Sequence, residues 1–206
     1  MQRETASRKK IYDCLKKEIV TCVIPPETVL IIDSLAGRFG VSRTPVREAL
    51  LTLCNEGLLV TKHHVGFIVP SINPRKIIET YSLRVLLERE SVRLAAVKMT
   101  PKTLKHLEEL FRKPQDQGGR EFHSVIAVAS GWSVLAETIE GLMDKSSRAR
   151  AILQVHGLPE DLFRSVHGHA QIYDALRERD AEKAVIAMEQ HLNEASERVL
   201  KAVAMI

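Results

Sequence analysis

The chain has 206 residues, 45% hydrophobic and 4% aromatic, with 30 Lys and Arg against 26 Asp and Glu, which is length and apolar content for one large domain or two small ones and excludes a disordered chain. No apolar run approaches the ~18 residues of a spanning helix and no signal pattern opens the chain, so a soluble, cytoplasmic protein with no membrane partner is expected. Cys14, Cys22 and Cys54 are odd in number and lack CxxC spacing, which argues against a disulfide framework and for a reducing compartment.

Long stretches follow a 3.6-residue period, so the class is mainly α, and a division into domains 1–70 and 75–206 with a linker at 71–74 is expected. The positive charge sits in the smaller part. Residues 1–70 hold ten Lys or Arg and seven Asp or Glu, a net of +3, whereas 71–206 hold twenty and nineteen, a net of +1. Arg3, Arg8, Lys9, Lys10, Lys16 and Lys17 make the opening stretch basic, either a solvated helix face or a run along phosphates.

A short helix is predicted from Asp33 to Phe39, with Leu35 and Phe39 on one face and Gly40 ending it in a left-handed turn. Ser42 then offers an N-cap hydroxyl, Pro45 falls in the first turn, and Val46, Leu50 and Leu53 repeat at helical spacing before Gly57. The outward face of that second helix presents Arg43, Thr44 and Arg47, two guanidinium forks and a hydroxyl beside a helix N-terminus, which is chemistry suited to phosphates and guanine edges. Two β-prone runs follow, Leu58 to Thr61 and Phe67 to Val69, and read as a two-stranded wing, expected to be the sole sheet. Its tip places Lys62, His63 or His64 within reach of a backbone or minor groove, with Gly66 permitting close approach.

The block from Ile11 to Val69, with LAGRFGVSRTPVREAL, then EGLL, then a wing ending GFIV, resembles the winged-helix domain of GntR-type bacterial transcription regulators. The resemblance implies that Arg43, Thr44, Arg47 and Gly66 contact DNA, with His63 and His64 at the wing tip. The chain departs from the family at Cys22 and Glu27, where Gly is usual, and at Ile31 and Ile32, where a polar capping segment is usual. The departures bear on the loop geometry and on one auxiliary phosphate contact.

Pro70 to Pro74 form a stiff connection, after which a helix is predicted over Ile77–Val97 and further helices at about 101–112, 119–143, 145–155, 160–178 and 181–203. Antiparallel packing of these gives an all-helical bundle with ligand sites between facing helices. His169 and His191 each lie eleven positions from Asp180, in the turn between the last two helices, and so sit at equal height, ~16 Å from that turn by helical rise. Such a pair can share a metal with His123 as a third ligand; the other reading has each His bonded within a helical core.

LRVLLERESVRLAA, EFHSVIAVASG and HAQIYDALRERDAEKAVIAMEQHL together resemble the FCD-type C-terminal domain of the FadR subfamily of GntR regulators. That resemblance implies a divalent metal, zinc or nickel, held by His123, His169 and His191, with an organic-acid effector beside it. The Asp that the family places four residues before the first His is here Gly119, and Asp116 can replace it only if the helix runs back through Gly118 and Gly119, which is unfavourable. Two readings stand: a three-His site completed by water, or a site without metal. Trp132 occupies a position where the family often has a pocket-lining Asn. Arg84 matches an Arg directed at the effector carboxylate, the alternative being a surface i,i+4 pair with Glu88.

The expected function is that of a bacterial, homodimeric, sequence-specific regulator, a repressor on a pseudo-palindromic operator in double-stranded DNA and so nucleoid-associated when bound. A small-molecule effector in the helical domain re-orients or releases it. The alternative is an effector-independent dimeric DNA binder with a degenerate site. No HExxH or GxSxG pattern is present, so no enzyme is expected.

Overall fold

The computed structural model describes residues 2–63, 65–112, 115–158 and 166–205, with the backbone alone at 2–6, 111, 115–118 and 166–167. Among these residues the chain forms two compact units, Met1–Asn73 with Ser147–His156, and Pro74–Ser146 with Gly157–Ile206. The division differs from the expected 71–74 linker. Ser71 stays with the first unit through its hydroxyl, which donates to Glu27 at 3.0 Å, and Pro74 already opens a helix.

In the first unit, α1 (Gln2–Val20) presents Ile11, Leu15 and Ile19, one residue per turn, to a core completed by Leu35 and Ala36 of α2 (Ile32–Phe39) and Val46, Ala49, Leu50 and Leu53 of α3 (Arg43–Asn55). Gly40 ends α2 at φ 64°, ψ 39°, as the sequence predicts. Ser42 occupies the N-cap position of α3, but its hydroxyl makes no capping bond. The sheet has three strands rather than two: β1 (Val29–Leu30), β2 (Val60–Lys62) and β3 (Gly66–Ile68), in the order β1-β3-β2, all antiparallel, with Leu30 opposite Phe67 and Lys62 opposite Gly66. A two-residue strand is too short to carry alternation, which is why β1 escaped the sequence. Gly66, at φ 123°, lies where an added Cβ would stand 3.2 Å from the Leu30 carbonyl oxygen, so the β1–β3 pairing itself calls for glycine here.

The second unit is built on α4 (Pro74–Lys98), which packs along α9 (Ala181–Val203), with α5 (Pro101–Arg112), α6 (Gln115–Ala129), α8 (Val166–Arg177) and, up to Ser146, α7 (Ser133–Val155) beside them. Its core joins Val92, Ala95 and Met99 to Leu107, Leu110, Phe122, Ile126, Ile172, Leu176, Met188 and Leu192. The predicted bounds of α5 and α9 hold. The predicted helix 119–143 does not: the chain turns at Ser130–Trp132, with Gly131 at φ 77° and Lys98 donating to the Ser130 carbonyl at 2.5 Å, and α7 then runs unbroken through Gly141 and residue 144. The helix α6 starts at Gln115 and so passes through Gly118 and Gly119 despite their poor propensity; the side chain of Asp116 lies outside the described residues.

Candidate functional site

On the first unit, Pro45 and Val46 turn inward, which leaves Arg43, Thr44 and Arg47 exposed side by side on the first turns of α3. Arg43 is steadied by Asp33 of α2, with Nε to Oδ1 at 2.7 Å and Nη2 to Oδ2 at 3.1 Å, a two-pronged contact in water that orients the guanidinium more than it stabilises the fold. His63 is exposed at the end of β2, and His64 lies outside the described residues. The frame behind this face is tied by Arg38 of α2, whose Nη1 donates to Glu18 of α1 at 2.9 Å, and by Tyr12 of α1, which donates to Glu56 at 2.6 Å. The loop that leads into β1 keeps left-handed backbone at Cys22 (φ 57°) and Glu27 (φ 66°), so the turns survive with side chains in place of the usual glycines. Ile31, in the N-cap position of α2, gives the helix no side-chain cap.

The second unit brings His123 of α6, His169 of α8 and His191 of α9 together, all buried, with their ligand nitrogens within 4.8 Å of one another. His123 Nε2 stands 3.1 Å from His191 Nε2 and 3.3 Å from His169 Nε2. Bonds of ~2.0–2.1 Å to one metal put cis nitrogens about 2.9 Å apart in an octahedron and about 3.4 Å apart in a tetrahedron, so these separations fit a shared ion. The ring of Phe122 stacks on His169, with centroids 4.5 Å apart, and fixes its plane.

Glu88 of α4, which sequence reasoning left as a partner of Arg84, proves central. Its Oε2 lies 2.5 Å from His123 Nδ1, and its Oε1 accepts from Arg84 Nε at 2.7 Å. Burial alone would raise its pKa, but the charges of Arg84 and His123 and their hydrogen bonds bring it down to about 2. In the neutral ring, an ionised Glu88 favours the tautomer with its proton on Nδ1, which leaves the Nε2 lone pair toward the other two rings, the carboxylate–histidine arrangement that supports metal ligation. His191 is held well below its usual pKa, first by burial, then by His169 and His123 and the charges of Arg84 and Arg198, which keeps it neutral and ready to ligate.

Arg84 is 7% and Glu88 1% exposed, so the i,i+4 pair is interior rather than on a surface, and Arg84 Nη1 also donates to Ser146 of α7 at 3.1 Å. Trp132 is not brought to the histidines: 55% exposed, it lines an open groove of about 560 Å³ with Leu87, Ser133, Val134, Leu135 and Thr138. A Cβ at Gly119 would stand 3.6 Å from His169 Cε1, so this position faces the cluster. The signal that Glu88 carries more than a surface pair was present in the sequence: with Ile77, Tyr81, Arg84, Ser91 and Ala95 it occupies the buried stripe of α4, where charge is costly unless used.

Two family models match the chain: the gntR family of bacterial regulatory proteins over residues 7–69, and the FCD domain over residues 79–194. The HTH-type transcriptional repressor RspR of Escherichia coli is 31% identical over 202 residues, 93% of this chain and 88% of its own length. The chain belongs to the GntR family of transcription regulators, with an FCD domain. The gluconate operon transcriptional repressor of Bacillus subtilis is 26% identical, covering 90% of this chain and 82% of its own. Among solved structures, McbR/YncC of E. coli superposes with a TM-score of 0.83 at 26% identity, over 95% of this chain and 97% of its own. These relatives are DNA-binding regulators rather than enzymes, and no described helix is long and apolar enough to cross a membrane.

Proposed function

We propose that this regulator is a cytoplasmic repressor that binds a pseudo-palindromic operator as a homodimer and is released by an organic acid bound at a metal held by His123, His169 and His191. The observation that carries the reading is the convergence of three Nε2 atoms with Glu88 behind His123: His123 Nε2 lies 3.1 Å from that of His191 and 3.3 Å from that of His169, the separations of nitrogens that share one divalent ion. Zinc or nickel bound there supplies a positive charge and open positions for a carboxylate. Arg43, Thr44 and Arg47 enter the major groove, with His63, His64 and the Gly66 turn along the adjacent backbone. A second copy covers the outer face of α4 and the α6–α7 corner, on which Leu83, Leu86, Val128, Trp132 and Val134 are each exposed.

Effector binding requires differential affinity between free and DNA-bound arrangements, and release follows when the ligand favours the one that cannot span both half-sites. Selection from randomised duplexes tests the reading: an inverted repeat should emerge, Arg43→Ala should weaken its binding by ~1–3 kcal/mol with dimerisation intact, and a metal-dependent loss of binding should follow addition of organic acids. Recovery of no repeat, or equal binding by Arg43→Ala, would count against it.

A further inference from the structure

Among the described residues three buried side-chain polar atoms make no hydrogen bond: Ser91 Oγ, Arg198 Nε and Arg198 Nη2. Two of them belong to one guanidinium. The side chain as a whole is 24% exposed, but these two N–H groups are shielded from solvent, and a desolvated cationic N–H without an acceptor costs free energy. Nε and Nη2 form the side edge of the guanidinium, two parallel N–H groups at the spacing of the two oxygens of a carboxylate. The remaining nitrogen, Nη1, leans on Glu194 at 3.4 Å, long for a charge-assisted bond, and that contact shows the side chain running back toward the start of α9.

Back along α9 from Arg198 lies His191. Seven residues return a helix to within ~20° of the same face and advance it ~10 Å, so the two residues share one side of α9, two turns apart. The backward lean of Arg198 shortens the gap between its open edge and the three-histidine centre. A molecule with an acid group at each end fills that gap; a monoacid leaves the buried edge of Arg198 bare.

We infer that Arg198 is a second anion anchor beside the three-histidine centre and that the effector is a short dicarboxylic acid, one carboxylate at His123, His169 and His191 and the other on the Nε/Nη2 edge of Arg198. The inference rests on the effector reading above and adds the ligand class to it. Calorimetric titration of the zinc-supplemented full chain with glutarate and adipate, against valerate and hexanoate as monoacids of matching length, tests it. The diacids should bind at least tenfold tighter than the monoacids. In Arg198→Gln, checked for native circular dichroism and for zinc content equal to the wild type, that advantage should vanish, and Arg198→Lys, with charge but no fork, should retain only part of it.

Equal affinity for mono- and diacids in the wild type, an advantage that persists in Arg198→Gln, or no binding of any probe would each overturn the assignment. His169→Ala separates the two claims. Loss of all acid binding there upholds the three-histidine anchor. Retained binding with a diacid advantage that still depends on Arg198 removes the histidines from the ligand site and leaves Arg198 as an anchor.

Discussion

Glu88 decides what His123 can do. Replacing it with Gln keeps the shape but removes the negative charge that fixes the proton on His123 Nδ1, so metal affinity should fall ~10–100-fold while the fold persists, as read by competition with a chromophoric chelator. Gly119→Asp should act in the opposite sense, because that position faces His169 Cε1 at 3.6 Å and a carboxylate there can reach the same ion. Unchanged affinity in Gly119→Asp would show that position 119 does not supply a ligand. The three histidines were legible in the sequence because a helical hairpin puts residues equidistant from its turn at one height, and His169, His191 and Asp180 obey that arithmetic. Glu88 was legible only as a charge on the apolar stripe of α4, which spacing alone pairs with Arg84 at i,i+4, and Arg198 was not legible, since spacing shows nothing of which guanidinium atoms lose water. Trp132 was a candidate for the effector pocket through the resemblance alone, and the turn at Ser130–Trp132, read as helix interior, carries it to an open groove.

At the scale of elements, the turns before β1 hold side chains in a backbone that favours glycine. Glu27 is exposed at φ 66°, and its amide donates to the Val69 carbonyl at 2.8 Å, so the conformation is needed while the side chain is not. A left-handed residue costs ~1–2 kcal/mol, and glycine returns part of that gain as entropy of the unfolded chain, so Glu27→Gly should raise stability by about 0.5–1 kcal/mol in urea unfolding. A decrease would show that the Ser71–Glu27 bond outweighs the strain. Cys22 shares the conformation but is buried, so removal of its side chain would mix strain relief with lost packing.

The clasp between α1 and α2 carries a pH dependence. Hydrogen bonding to Arg38 lowers the pKa of Glu18 below its ordinary 4.5. With the folded value depressed, the unfolded chain takes up the proton first; the contribution is present above about pH 4.5 and fades as pH falls through the lower folded value. Glu18→Gln should therefore cost about 1 kcal/mol or less at pH 7 and make the acid limb of unfolding shallower below pH 4.5. An unaltered acid limb would mean that the pair contributes nothing measurable.

For the whole molecule, the winged helix was legible because its signals are local: Gly40 ends one helix, Ser42 and Pro45 begin the next, and Gly66 marks the strand that pairs with β1. The grouping of Ser147–His156 with the first unit was not, because it depends on Arg148 donating to the Pro70 carbonyl, a pairing of residues far apart in the chain. The alternative of an effector-independent dimer draws its support from Gly119 and Trp132, and the convergent Nε2 atoms oppose it. The most direct test is elemental analysis of protein purified without chelators or affinity metals, beside His169→Ala prepared in the same way. The account predicts close to one zinc or nickel ion per chain in the wild type and a large loss in the variant; a wild type without divalent metal, even after supplementation, would contradict it.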